Sequence, residues 1–162
     1  MVVLLASGWA EREASPQALT AAPPSCASPG GPSALGGAAA ARYLAIATAG
    51  NQRLEIDFDR LAGPDREHLA VAQADLRDAA GTEHLFDQCL LAIPFPPRTS
   101  PVAKWLFDVN QARARLTLTA AGSTSLSRLA WYQTQLTAAN VPVEDAVSTI
   151  RLQLGLPPPS AS

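Results

Sequence analysis

Leu69-Ala-Val-Ala-Gln-Ala-Asp-Leu-Arg-Asp-Ala-Ala-Gly-Thr-Glu-His-Leu-Phe-Asp-Gln-Cys-Leu-Leu-Ala-Ile93 decides the fold class. Leu69, Ala72, Leu76, Ala79, Glu83, Phe86, Leu90 and Ile93 recur at alternating steps of three and four, the spacing of a heptad seam. A strand would need alternation by two. This segment is therefore expected to be a helix that packs against a neighbour along its length. Pro94-Phe-Pro-Pro97 ends it, because proline removes a backbone donor and restricts the residue before it.

The same periodicity extends outward in both directions. Between Ala34 and Leu61, the residues Tyr43, Ile46, Ala47, Gly50, Leu54, Phe58 and Leu61 form one apolar stripe. Gly63-Pro64 breaks it, and Asp65 and Glu67 suit a following first turn, where carboxylates oppose the positive end of the dipole. Downstream, Ser100-Pro101 reads as N-cap and first helical residue. Val102, Trp105, Leu106, Val109, Ala112, Leu116 and Ala120 form the third stripe.

An unbroken third helix continuing through Leu129 and Leu136 would span about 57 Å, against about 42–45 Å for its predecessors. A kink or break near Gly122 is therefore expected. Asn140-Val-Pro142 is read as a stop, with Pro142 opening a short last helix through Val143, Val147, Ile150 and Leu154. Gly155 is its C-cap candidate, and Pro157-Pro-Pro159 prevents continuation. The fold class is thus all-α: an antiparallel bundle of three long helices, with a short C-terminal one. The domain boundaries are 1–9, a remnant of a signal-like segment; 10–33, a disordered Pro/Ser/Ala/Gly tether; 34–156, the bundle; and 157–162, a disordered tail.

Composition agrees. Hydrophobic residues make up 48% of the 162 positions and charged residues 16%, which suits a folding chain rather than a disordered one. A net charge of -2 gives no electrostatic argument for nucleic acid or an anionic membrane. Charge is nevertheless segregated. Residues 55–87 hold nine acids against Arg60, Arg66 and Arg77, while 98–128 hold Arg98, Lys104, Arg113, Arg115 and Arg128 against Asp108. An acidic hairpin docking on a basic third helix is the expected reason; a basic surface for an acidic partner is the alternative. Cys26 and Cys89 are compatible with one disulfide, but two unlinked thiols are the expectation, because Cys26 lies in the Pro/Ser/Gly tract and Cys89 in a helix.

Met1-Val-Val-Leu-Leu-Ala-Ser-Gly-Trp9 resembles the end of an export signal, and Leu4-Leu5-Ala6-Ser7-Gly8 resembles the stretch before the lipid-modified cysteine of a bacterial lipoprotein. Trp9 stands where that cysteine should be, which argues against lipidation, since diacylglyceryl transfer needs a thiol. With the Pro/Ser tether and the Ala/Arg-rich helical domain, the chain resembles small actinobacterial exported proteins and lipoproteins of uncharacterised function. That resemblance implies an envelope or extracellular location, with peripheral membrane association through the N-terminus; a cytoplasmic location is the alternative.

No motif points to chemistry. Glu83 occupies a seam position, where a buried carboxylate needs a partner, and Arg113 or Arg115 is the expected one. Di-iron bundles use Glu-x-x-His, whereas Glu67-His68 and Glu83-His84 are adjacent and cannot both project inward. His68 and His84 are expected at the surface. No cofactor, metal site or catalytic residue is expected, nor a nucleic-acid partner. Trp105, Phe107, Trp131 and Tyr132, with Arg113 and Arg115, form the candidate interaction patch for a protein or lipid-like ligand. The function expected is a non-enzymatic envelope binding or interaction module. A metal-binding bundle using Glu83 with Asp57–Asp59, and a cytoplasmic helical regulator, are the alternatives.

Overall fold

The computed structural model describes Cys26 and residues 37–159. They form helices α1 (Gly37–Ala62), α2 (Leu69–Leu91), α3 (Ser100–Ala120) and α4 (Leu126–Gln153), with a 3-10 turn at Pro64–Glu67 between α1 and α2. No strand occurs among the described residues, so the fold is all-α as expected. None of these helices is long and apolar enough to cross a membrane. The segments at 1–9 and 10–33, Cys26 apart, lie outside the described residues.

Consecutive helices pack side by side, while α1 and α4 approach one another less closely. The core divides into two apolar clusters. One gathers Tyr43 and Ile46 from the start of α1, Leu90 from the end of α2, Leu106 from the start of α3 and Ile150 from the end of α4. The other gathers Leu61 from the end of α1, Leu76 from the first half of α2, Ala120 from the end of α3, and Leu129 and Leu136 from the start of α4. Starts and ends alternate in each cluster, so neighbouring helices run in opposite directions.

The break expected near Gly122 is present. α3 ends at Ala120, and Ser125 caps α4, its Oγ accepting from the Arg128 backbone N–H at 3.2 Å. The stop expected at Pro142 is absent: α4 runs for 28 residues with Pro142 inside it. The bundle therefore has four long helices, not three and a short one. An interior proline costs roughly 3 kcal/mol. Against that, Leu129, Leu136, Ala146 and Ile150 are buried on both sides of it, and full burial of one aliphatic side chain contributes about 1.5–3 kcal/mol. Keeping both halves in one helical phase outweighs the lost hydrogen bond.

The end of α4 follows the sequence closely. Gly155 adopts φ +69°, its N–H bonds the Leu152 carbonyl at 3.1 Å, and the Leu156 N–H bonds the Arg151 carbonyl at 2.9 Å. This Schellman arrangement needs a left-handed residue at that position, which glycine supplies without steric cost. Leu156 then folds into the first cluster. At the start of α3 the cap differs from expectation. Ser100 is the first helical residue rather than the N-cap, and its hydroxyl donates back to the Phe95 and Pro96 carbonyls at 3.3 and 3.2 Å.

Two further expectations are corrected. Cys26 and Cys89 are joined in a disulfide, with Cα atoms 5.0 Å apart across 63 residues of sequence, so they are not separate thiols. Cys89 sits in the last turn of α2, buried in the first cluster, and the bond ties the exposed Cys26 to that end of the bundle. The inward face of α3 is also rotated. Ala103, Leu106, Asn110, Arg113, Thr117 and Ala120 are buried, whereas Trp105 and Ala112 are exposed and Val109 and Leu116 only partly covered. The buried set keeps Leu106 and Ala120 of the expected stripe and alternates steps of three and four. What selects it is the facing surface of α2.

Candidate functional site

Helix α2 buries Glu83 and Asp87 one turn apart, both about 1% exposed. A buried carboxylate without a partner is costly, so the facing helix must supply donors. α3 does so with the mixed stripe. Arg113 Nη1 meets Glu83 Oε1 in an ion pair whose two side chains are almost wholly buried. Asn110 Nδ2 donates to Asp87 Oδ1 at 2.9 Å and lies 3.4 Å from the Glu83 carbonyl. Centring the face on Val109 and Leu116 instead would turn Asn110, the donor to Asp87, away from α2. Of the two arginines expected opposite Glu83, Arg113 is the one used; Arg115 is exposed.

These residues form a polar layer between the two apolar clusters. Arg113 also lies over the Phe58 ring of α1, with the guanidinium carbon 5.4 Å from the centroid. Glu83 Oε2, Asp87 Oδ2 and Arg113 Nε have no hydrogen-bond partner among the described residues. Burial pushes the Glu83 carboxyl above its usual range, while the Arg113 charge pulls it back. Burial likewise raises Asp87 to about 7; the Asn110 hydrogen bond opposes this and the Glu83 charge adds to it. Asp57 and Asp75, buried nearer the second cluster, are also raised, chiefly by burial, Asp75 to about 6.

The layer opens to the surface between α1 and α4. A cleft enclosing about 60 Å³ lies there, drawing lining residues from all four helices. Glu83, Asn110 and Arg113 belong to its buried floor, and Leu54, Phe86, Val143 and Val147 give it apolar walls. Half-buried Asn51, Asn140 and Glu144 stand at the rim. Gly50 lets the wall of α1 recede: a Cβ there would sit 3.7 Å from Phe86 Cδ2. That volume holds a few waters, so the enclosed part suits a small ligand rather than a whole cofactor.

The six residues read from the sequence as an interaction patch are dispersed. Arg113 is inside the bundle, in the cleft floor. Trp105, near the start of α3, and Trp131, near the start of α4, lie at opposite ends of the bundle. Both are exposed, Trp131 by 51%. Phe107 packs on the first cluster and Tyr132 on the second. Arg115 borders a shallow hollow with His84, Asp87 and Leu118. Trp131 and Tyr132 meet edge to face at 4.8 Å, with the Arg128 guanidinium over both rings.

Sequence reasoning missed the cleft, the role of Asn110, and buried Thr117, whose hydroxyl donates to the Arg113 carbonyl at 3.1 Å and supports the Glu83 carboxylate. Their only signal was position: both share the three-four spacing of Leu106, Arg113 and Ala120. His68 and His84 are exposed, as expected, and His84 pairs with Gln88 at 3.0 Å. Among the described residues no group of three or more His, Cys, Asp or Glu is arranged to hold a metal ion. Asp59 is exposed while Asp57 and Glu83 are buried, so these acids do not assemble as one site. No protein-family model, curated protein or solved structure matches the chain.

Proposed function

We propose that this chain is a non-enzymatic binding module of the cell envelope or extracellular space, which holds a small ligand in the cleft between α1 and α4. The observation that carries the reading is the cleft itself. In a bundle evolved only for stability, the mid-height of the core would be filled with apolar side chains. Here it holds the buried charged and amide groups of Glu83, Arg113 and Asn110 beneath a cleft with apolar walls, the mixture typical of ligand sites. The Cys26–Cys89 disulfide supports the address, since such bonds persist in oxidising compartments. The lipoprotein-like start of the sequence points the same way.

A fragment screen by thermal shift on the oxidised protein tests the binding claim. Hits that lose their effect when the cleft is narrowed by Val147→Phe support it. Hits indifferent to that substitution, or an absence of hits, would refute it. Fractionation of the native host tests the address: a purely cytosolic pool with free Cys26 and Cys89 thiols would refute export.

A further inference from the structure

The corner where α1 passes through the 3-10 turn into α2 gathers more carboxyl groups than its cations neutralise. Asp57 of α1 and Asp75 of α2 are each 5% exposed, and Asp57 Oδ2 and Asp75 Oδ2 meet no donor group among the described residues. Asp65 of the turn hydrogen-bonds the Asp75 side chain. Ionised carboxylates are acceptors only, so that contact requires a proton on one of the two. Asp78 of α2 adds a further negative charge beside Asp57. Against these four acids stand Arg53 and Arg60 of α1. The Arg60 guanidinium lies 3.9 Å from Asp75 Oδ1 on a side chain 54% exposed, so solvent screens much of its attraction. Arg66 and Glu67 of the turn are exposed. From α3 and α4 this part of the core receives apolar Leu116, Ala120 and Leu129, and Arg113 of α3 is engaged by Glu83.

We propose that this corner is a proton-operated latch: a proton on Asp75, shared with Asp65, holds the 3-10 turn and the end of α1 onto α2, and its loss releases them. Without that proton the α1–α2 interface carries buried carboxylates on both sides, with Asp65 and Asp78 alongside, and like charges removed from water repel strongly. Burial raises Asp75 to about 6; the Asp65 hydrogen bond and charge add to this, Arg60 opposes it, and the Asp57 charge adds further. The closed corner therefore holds a proton that the open one gives up. Closure is complete below about pH 4 and weakens as pH rises through 6. Leu61 and Ala62, at the end that is freed, form one wall of a hollow completed by Leu126, Leu129 and Ala130 of α4. Proton release moves that wall.

Native-state amide exchange of the oxidised full chain, corrected for intrinsic rates, tests the latch. The opening constant at Leu61, Gly63 and His68, whose amides are bonded within the corner, should rise about tenfold between about pH 4.5 and about pH 7. Asp75→Asn keeps a donor for Asp65 without a titrating proton, so it should remove that rise. Asp87→Asn should leave it in place, which separates the corner from the pH dependence of the polar layer. Carboxyl carbon shifts of the unaltered chain give a check that needs no substitution: Asp75 should titrate near 6, and lower in Asp57→Asn. An opening constant indifferent to pH, a rise that survives Asp75→Asn, or an Asp75 titration below about pH 4.5 would overturn the latch.

Discussion

Glu83 of α2 and Arg113 of α3 form an ion pair buried between two apolar clusters, and that pair fixes which face of α3 turns inward. Two overlapping faces of α3 share Leu106 and Ala120, one more apolar and one mixed. The mixed stripe is buried because it alone neutralises Glu83 and gives Asp87 a donor. The same choice leaves polar atoms at mid-height, where α1 and α4 stand apart and the cleft opens.

Asp87 makes stability depend on pH. Its carboxyl is raised to about 7 in the folded chain, mainly by burial, against roughly 3.9 for an unfolded aspartate. Between these values the folded state holds the proton that the unfolded state releases, so its contribution is complete below about pH 4 and is lost as pH rises through 7. Asp75, raised to about 6, acts in the same direction. Urea denaturation should therefore show stability falling from pH 5 to pH 8. Asp87→Asn keeps an acceptor for Asn110 and should flatten that slope, gaining about 2 kcal/mol at pH 8.

Pro142 sits inside α4, next to the cleft residues Asn140, Val143 and Glu144. Pro142→Ala restores the backbone donor to the helix. Part of that gain is offset because proline also restricts the unfolded chain. A net stabilisation of about 2 kcal/mol is expected in chemical denaturation.

The disulfide closes a separation of 63 residues. Chain-entropy arguments give such a cross-link about 4 kcal/mol through the unfolded state. Reduction, or Cys26→Ser with Cys89→Ser, should lower the denaturation midpoint by a comparable free energy while leaving the helical circular dichroism signal in place.

Gly50 is a buried helical glycine with room for a methyl group. Gly50→Ala should stabilise the fold by about 0.5–1 kcal/mol through helix propensity. Because its Cβ enters the cleft wall, the same substitution should reduce ligand affinity, a trade measurable by comparing thermal unfolding with the binding titration.

The sequence made α2 legible because its seam carries Leu76, Ala79 and Leu90 in strict register, and the glycine cap at Gly155 because only one backbone conformation fits there. It misled where two physical terms competed. The α3 stripe with Val109 and Leu116 is greasier than the buried one, and periodicity cannot see that Glu83 across the interface needs Arg113. Pro142 reads locally as a stop, yet burial of Leu136 and Ile150 on either side holds α4 together. The candidate patch failed to assemble for the same reason: adjacency of aromatics in sequence says nothing about which end of a bundle each occupies. The Cys26–Cys89 pairing is a long-range contact with no local trace.

A double-mutant cycle on Glu83 and Arg113, read by urea denaturation at pH 7, tests the buried pair most directly. Each alanine substitution alone should cost about 3–5 kcal/mol, because it leaves one buried charge without its partner. The double substitution should cost well under the sum, giving a coupling of about 2–3 kcal/mol. Additive losses, with coupling within about 0.5 kcal/mol of zero, would mean that the two side chains do not meet. The inward face assigned to α3, and the cleft floor built on it, would then be contradicted.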